Sequence, residues 1–170
     1  TQLAMSDDLL QWKTLGTILP RGRTNSWDQA NAGGGVALFD PQWGGSHTLQ
    51  KHDGRYWLSY IGGARFGYET TPLAIGLATT TDPTRSEAWQ KIPAPVLKAD
   101  DANAHPLEAE TLYKSYIFRD ETRTLGAPFV MFYNAKPVRG SERIFIATSE
   151  DLKTWKRFGT GPVLENLRPD

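Results

Sequence analysis

Acidic residues in this sequence repeatedly stand just before segments that are typical of β-strands. Asp28 and Asp40 lie in the segment 25–47, and Glu108 and Glu110 directly precede TLYKS. Two carboxyl groups at one site can share acid–base catalysis, because one protonates a leaving atom while the other activates water or attacks the substrate. These four carboxylates are therefore our first candidates for reactive groups.

The segment NSWDQANAGGGVALFDPQWGGSH at 25–47 has the composition of a binding loop. It contains two tryptophans, a histidine and five glycines, without a helical or strand period. We predict an irregular loop whose glycines let it fold over a ligand. The alternative is a mobile surface loop without a binding role.

Composition excludes several other functions. The 170 residues suffice for one domain with a sizeable core. Nineteen Lys and Arg balance nineteen Asp and Glu, which argues against binding to nucleic acid or to an anionic membrane. The sequence has no cysteine for thiolate chemistry, no zinc-ligand spacing and no apolar run long enough to cross a bilayer.

Short segments rich in aromatic and β-branched residues alternate with turn residues, which predicts strands. These segments are RYWLSYI at 55–61, LAIGLATT at 73–80, PFVMFYN at 128–134 and RIFIATS at 143–149. The turn HDGR at 52–55 predicts a hairpin that joins SHTLQK to the first of these strands.

An internal repeat indicates how these strands are arranged. SDDLLQWKTLGTIL at 6–19 recurs as SEDLKTWKRFGTGPVL at 149–164, with a weaker copy at 81–97. The unit of about 70 residues holds four predicted strands, which is the pattern of a β-propeller blade. A β-sandwich also has short strands, but it does not predict this repeated tryptophan. We therefore predict an all-β propeller of four-stranded antiparallel blades, in which the repeated Trp packs between blades and the repeated Asp caps turns.

The predicted blades do not close a ring. We assign residues 1–20 to the end of one blade, 21–93 to a second, 94–159 to a third and 160–170 to the start of the next. These two and a half blades would leave sheet edges that a closed propeller pairs. We therefore expect the chain to be part of one propeller domain of a longer parent.

Alternating strand direction places the long irregular segments 20–46, 62–72, 98–112 and 134–142 on one rim of the predicted propeller. Since the first strand of a blade lines the central channel, Asp28, Asp40, Glu108 and Glu110 would converge near its axis. Carboxylates in the turns of the other rim are interpreted as structural, namely Asp7, Asp8, Asp53, Asp82, Asp120, Glu150 and Asp151.

Paired carboxylates with aromatic neighbours favour the cleavage of glycosidic bonds. Aromatic faces can stack on sugar rings, and cationic side chains can bind hydroxyl or charged groups. The substrate-binding residues that we predict on the irregular rim are Trp27, Trp43, His47, Arg65, Tyr68, Glu69, Lys114 and Glu142. His47 and Lys114 align with each other in the repeat. For any one of these residues, the alternative is a side chain that only faces water.

Segments such as WGGSHTLQKHDGRYWLSYIGG, ETLYKSYIFRDETRTLGAPFVMFYNAK and ERIFIATSEDLKTWKRFGTGPVLEN resemble the five-bladed propeller glycoside hydrolases. The resemblance covers nearly the whole chain and is nearest to the family-43-like glycosidases of polysaccharide-degrading bacteria. It implies an active site of three carboxylates from successive blades. Carried onto this sequence, it implies catalytic roles for Asp28 and Glu110, with Glu108 as a substitute, and a third carboxylate beyond Asp170. His47 stands where an acidic residue would open an inner strand.

We therefore expect a glycoside hydrolase acting on oligo- or polysaccharides, secreted or periplasmic. Its partners would be a carbohydrate substrate and the remaining blades of the parent, without nucleic acid or membrane. No cofactor is predicted, although a divalent ion at the propeller axis would be compatible with the fold. The alternatives are a non-catalytic carbohydrate-binding propeller, a phosphorolytic relative and a propeller that only binds proteins.

Overall fold

The computed structural model describes residues 1–165, which fold into three antiparallel sheets. The first sheet contains β1 (Gln2–Met5) and β2 (Lys13–Thr17). The second contains β3 (Asn31–Ala37), β4 (Lys51–His52), β5 (Arg55–Gly63), β6 (Leu73–Thr80) and β7 (Gln90–Lys91). The third contains β8 (Thr111–Arg119), β9 (Phe129–Lys136), β10 (Arg143–Ser149) and β11 (Lys156–Arg157). The only helical elements of this part of the chain are short 3-10 turns, at Ser86–Ala88 and Pro106–Glu108.

The predicted all-β class is confirmed, and both larger sheets follow the strand order of the predicted unit. The third sheet is a meander in the order β8-β9-β10-β11. In the second sheet the order is β3-β5-β6-β7, and β4 pairs with the start of β5. The propeller ring and its number of blades remain predictions. The start of a further blade was predicted at 160–170, of which residues 166–170 lie outside the described residues.

The first strand of the second sheet differs from the prediction. β3 pairs with β5 from Asn31 opposite Gly63 to Ala37 opposite Leu58, so an irregular loop across all of 25–47 is wrong. A Cβ atom on Gly35 would lie 2.7 Å from the carbonyl oxygen of Ser59, so this glycine permits the close approach of the two strands. The glycine-rich half of the segment is thus a strand.

Apolar residues cover both faces of the second sheet, because successive residues of a strand point to opposite faces. Trp57 of β5 joins a cluster with Leu112 and Met131 of the third sheet. Tyr60, three residues later, joins a second cluster with Ile18, which follows β2. The second sheet is therefore packed between the other two. In the described part of the chain, no helix has the length and apolar character needed to cross a membrane.

The repeated turn SDDLLQW/SEDLKTW has the same local structure in both copies. Asp8 and Asp151 each accept two backbone hydrogen bonds from residues two and three positions later. These bonds, led by the N–H groups of Gln11 and Thr154, hold the pKa of both carboxyls below the usual value. The predicted role of the repeated aspartate as a turn cap is confirmed.

The surroundings of the two turns differ strongly. Leu152 and Trp155 are 0% and 7% exposed, whereas their counterparts Leu9 and Trp12 are 76% and 59% exposed. The later turn packs in the large cluster of the second and third sheets. The earlier turn has no equivalent cover among residues 1–165, because β1 and β2 lack the two strands that correspond to β8 and β9.

Substitution of the two tryptophans should therefore have unequal effects in the polypeptide of residues 1–170. We expect Trp155→Ala to lower the free energy of unfolding by about 3–5 kcal/mol, as for a large buried aromatic residue. Trp12→Ala should lower it by less than about 1 kcal/mol, because its ring is mostly in water already. Urea unfolding followed by circular dichroism measures both values. Equal losses would contradict the burial difference.

Candidate active site

Asp28 lies inside the molecule and not on the open rim. Its carboxylate accepts hydrogen bonds from Lys91 Nζ at 2.5 Å, Ser26 Oγ at 2.9 Å and the Tyr60 hydroxyl at 3.2 Å. The residue is only 4% exposed. The structure contradicts the prediction that Asp28 faces a ligand, because the carboxylate is buried and its charge is neutralised by Lys91.

Glu108 is enclosed in the same way and is fully buried. It accepts hydrogen bonds from the Tyr133 hydroxyl at 2.5 Å, from Arg157 Nε at 2.7 Å and from the backbone N–H of His105 at 2.7 Å. Burial, together with the adjacent carboxylate, raises the pKa of both Tyr60 and Tyr133, so each phenol is a neutral donor. Glu108 therefore lies in the interior, as Asp28 does. The structure contradicts the prediction that Glu108 can serve as a catalytic carboxylate at the rim, because its side chain is fully buried.

Glu110, by contrast, reaches the rim. Its backbone N–H bonds the carbonyl of Lys136 at 3.0 Å and so aligns the start of β8 with the end of β9. Its Oε1 accepts a hydrogen bond from Thr71 Oγ1 at 3.3 Å. Its Oε2 lies 3.7 Å from Lys136 Nζ, an ion-pair distance, but has no hydrogen-bond donor among the described residues. This oxygen is closed to solvent, so a ligand can reach it only if the side chain turns toward the rim.

Glu142, in the connection between β9 and β10, stands in a set of donors. Its Oε2 accepts hydrogen bonds from Asn134 Nδ2 at 2.9 Å and Lys114 Nζ at 3.4 Å, and the Tyr113 hydroxyl is near enough to lower its pKa. Burial alone would raise the pKa of Glu142. The donated hydrogen bonds and the Lys114 charge outweigh this effect and lower the pKa, which favours the ionised carboxylate.

Tyr113 is influenced by three nearby carboxylates. Its side chain is nearly buried, and burial followed by the charges of Glu142, Glu69 and Glu110 raises its pKa. Lys114 Nζ lies 4.7 Å from the centre of the Tyr113 ring. Lys114 therefore lies against the Tyr113 ring, and the charges of three further predicted site residues, Glu69, Glu110 and Glu142, act on its hydroxyl.

The connection between β5 and β6 carries exposed aromatic residues on a braced backbone. Arg65 Nη1 donates to the carbonyl of Thr71 at 3.1 Å, and Thr70 Oγ1 donates to the carbonyl of Phe66 at 3.1 Å. Phe66 and Tyr68 are 72% and 92% exposed. Arg65 thus holds its own loop, whereas Tyr68 is free to contact a ligand.

Trp27 is half-buried at the same rim. Its indole Nε1 donates to the carbonyl of Pro93 at 3.0 Å, and its ring centre lies 5.5 Å from that of Tyr60. The ring also lines a cleft of about 480 Å³ that includes Pro72 and Ala109, the neighbours of Thr71 and Glu110. This cleft adjoins the carboxylates.

Trp43 and His47 are not placed with these residues. Both lie in an excursion that begins after β3, and β3 starts at the rim of Glu110 and runs away from it. His47 Nδ1 lies 3.3 Å from the carbonyl oxygen of Asp40, and the Trp43 side chain is fully exposed. The predicted alignment of His47 with Lys114 is wrong, because Gly34 takes that position in the strand register.

Sequence analysis missed several residues of this region. Thr71, Tyr113 and Asn134 contact the rim carboxylates, and the buried pairs involve Tyr60, Tyr133, Lys91 and Arg157. The repeat held a signal for the buried pairs, since Lys91 and Arg157 each follow a repeated tryptophan by two positions. Within residues 1–165, no group of three or more His, Cys, Asp or Glu side chains is arranged to hold a metal ion.

Comparison with known proteins adds to this geometry. No family model matches the sequence, and no curated protein matches it. A solved structure described as a glycoside hydrolase is 43% identical with a TM-score of 0.90, and the match covers 98% of this chain and 49% of that one. The chain is similar to half of a glycoside hydrolase.

Two further structures extend the comparison. A complex of BT0996 with RGII is 42% identical with a TM-score of 0.88, and the match covers 98% of this chain and 49% of that one. A structure from the GH130 family of mannoside phosphorylases, which contains glycoside hydrolases that target β-1,2 mannosidic linkages in Candida mannan, is 20% identical with a TM-score of 0.55. The match covers 95% of this chain and 44% of that one, and at this low identity it shows only that the two folds are similar.

Removal of the Tyr113 hydroxyl should raise the pKa of Glu142. The Tyr113→Phe variant deletes the hydroxyl that lowers the pKa of this carboxylate, so protonation becomes easier. Side-chain carboxyl NMR titration measures this pKa, with Tyr116→Phe as the control on the same strand. Because a depressed pKa stabilises the fold above the unfolded-state value, the variant should lose stability mainly near neutral pH and little in acid. An unchanged Glu142 pKa would contradict the stabilisation of this carboxylate by the Tyr113 hydroxyl.

Proposed function

We propose that this chain forms part of a glycosidase and that Glu110 and Glu142 act on the glycosidic bond. The observation that carries the proposal is that Glu110 and Glu142 contact Lys136 and Asn134, two side chains on the same face at the end of β9. The similarity to a glycoside hydrolase across 98% of the chain supports the same class of reaction.

The environments of the two carboxylates suggest separate roles. Glu142 receives hydrogen bonds from Asn134 and Lys114 and has a lowered pKa, so it is suited to remain ionised, as a base or nucleophile. Glu110 receives one hydroxyl hydrogen bond and its side chain is partly exposed, so we assign it the role of the acid, with a turn of the side chain bringing the carboxyl group to the leaving oxygen. Their partners Asn134 and Lys136 are two residues apart on β9, or about 7 Å.

The surrounding surface suits a carbohydrate. Exposed Tyr68 and Phe66 offer aromatic side chains on the connection that carries Glu69, and Trp27 lines a cleft together with Ala109, the neighbour of Glu110. The similarity to the BT0996 complex makes fragments of RGII the first natural oligosaccharides to test. A secreted or periplasmic location would agree with such a substrate.

We further propose that the second and third sheets are successive blades of a five-bladed propeller of the family-43-like type. The repeated strand order and the 49% coverage of the similar glycoside hydrolase support this view. In this arrangement the sheet of β1 and β2 is the outer half of another blade. Its exposed Leu9 and Trp12 would then be covered by two strands from elsewhere in the parent chain.

Loss of the Glu110 carboxyl should abolish most turnover. The full-length protein is screened against aryl glycosides and oligosaccharides, and Glu110→Gln is compared on every substrate that is cleaved. We expect kcat/KM to fall by about 10²–10⁴-fold, because an amide cannot transfer the proton. Glu121→Gln, at an exposed turn near the opposite end of β8, is the matched control and should retain full activity.

Other results of this screen separate the alternatives. If the protein cleaves nothing, but a sugar raises its Tm, the non-catalytic carbohydrate-binding function replaces the glycosidase. Turnover that requires inorganic phosphate would identify a phosphorolytic enzyme. If Glu110→Gln is as active as the unmodified protein, Glu110 is not part of the active site.

The proposed ring predicts that the effect of Trp12→Ala depends on chain length. In the full-length protein this substitution should lower the free energy of unfolding by about 3–5 kcal/mol, as for a buried tryptophan. In residues 1–170 alone it should cost less than about 1 kcal/mol. Small losses in both would contradict the covered blade, and Trp155→Ala serves as the control that is costly in each.

A further inference from the structure

The two buried carboxylates occupy equivalent places in the repeat. The N–H of Ala30 donates to the carbonyl of Gly63 at the end of β5, and the N–H of Glu110 donates to the carbonyl of Lys136 at the end of β9, both at 3.0 Å. Asp28 lies two residues before Ala30, and Glu108 lies two residues before Glu110. Each carboxylate accepts hydrogen bonds from a tyrosine of the second strand and from a cation of the last strand. The chain therefore contains the same cluster twice, and only the second precedes a rim carboxylate.

The second cluster fixes its surroundings more extensively than the first. Besides Glu108, the Arg157 guanidinium donates to Asp101 at 3.1 Å, to Asn103 at 2.9 Å and to the carbonyl of Lys98 at 3.0 Å. The last strand of the sheet thus anchors the connection that leads to β8. In the first cluster Lys91 bonds, besides Asp28, only the carbonyl of Pro20 among the described residues.

The anchored turn ends at Glu108, two residues before Glu110. Glu108 accepts the N–H of His105, and the His105 side chain accepts the N–H of Leu107, which closes a short 3-10 turn. Only Ala109 separates this turn from Glu110. A shift of the Glu108 side chain therefore moves the backbone that carries the Glu110 carboxylate relative to Thr71 and Lys136.

We propose that Glu108, held by Arg157 and Tyr133, is a positioning residue that sets the placement of the Glu110 carboxylate at the rim. This inference rests on the proposed role of Glu110. The equivalent Asp28 cluster stabilises its sheet without this function, because Ala30 stands where Glu110 stands in the other repeat. An error of about 1 Å in such placement can cost on the order of 10²-fold in rate.

The repeat supplies a matched control for this proposal. Glu108→Gln and Asp28→Asn are made in the full-length protein and assayed with an aryl glycoside that the unmodified protein cleaves, well below the Tm of every variant. Both should lower the Tm, because each weakens a buried ion pair. Glu108→Gln should also lower kcat by about 10–100-fold with little change in KM, and displace the limb of the pH–rate profile that belongs to the acid. Asp28→Asn should leave kcat and this profile unchanged.

A second variant keeps the test decisive if Glu108→Gln folds poorly. Arg157→Lys retains a positive charge beside Glu108 but cannot make the forked contacts to Asp101 and Asn103, and it should lower kcat in the same manner. Lys91→Arg in the first cluster is its control. Equal effects on kcat in the two clusters, or none in either, overturn the positioning role.

The Glu110→Gln variant distinguishes failure of this inference from failure of the proposed function. If Glu110→Gln is inactive while Glu108→Gln behaves like Asp28→Asn, only the positioning role is rejected. If Glu110→Gln retains full activity, the proposed function is rejected and the positioning role with it.

Discussion

Each of the two larger sheets depends on one buried carboxylate and the cation that neutralises it. Asp28 precedes β3 and Glu108 precedes β8, the first strands of the two sheets. Their cations, Lys91 and Arg157, lie on the last strands, β7 and β11. An unpaired charge in such a place would be strongly destabilising, by about 3–5 kcal/mol. The last strands, β7 and β11, have only two residues each. The ion pair therefore connects the first and last parts of a sheet more firmly than the short ladder of backbone hydrogen bonds alone.

Burial separates these structural carboxylates from those at the rim. Asp28 and Glu108 are saturated with donors, while Glu110 retains an oxygen without a donor in the described structure. Glu142 lies between these cases, since it receives several hydrogen bonds but remains accessible. A carboxylate with partial hydrogen bonding can still exchange a proton or accept a new partner. The carboxylates at the rim are therefore left to react, because Lys91 and Arg157 already neutralise the two buried carboxylates.

The sequence predicted the strands well and the roles of the carboxylates poorly. The β-branched and aromatic segments 73–80 and 143–149 coincide with β6 and β10, because their side chains suit a sheet packed on both faces. β3 was missed because its consecutive glycines have no side chains from which a strand period could be recognised. Asp28 could not be distinguished from Glu110 along the chain, since the cation that neutralises it lies 63 residues away. Strand counting put Glu110 and Glu142 on one rim, and in the structure their partners Lys136 and Asn134 lie two residues apart on β9.

The separation between each buried carboxylate and its cation also has a consequence during synthesis. Lys91 follows Asp28 by 63 residues, and Arg157 follows Glu108 by 49. A nascent chain emerges from its N-terminal end, so each carboxylate is made long before the residue that neutralises it. Until then, burying the carboxylate would leave a bare charge in an apolar interior. The strands of one repeat must therefore remain partly hydrated until the last of them has left the ribosome, and each repeat completes its packing as a single step.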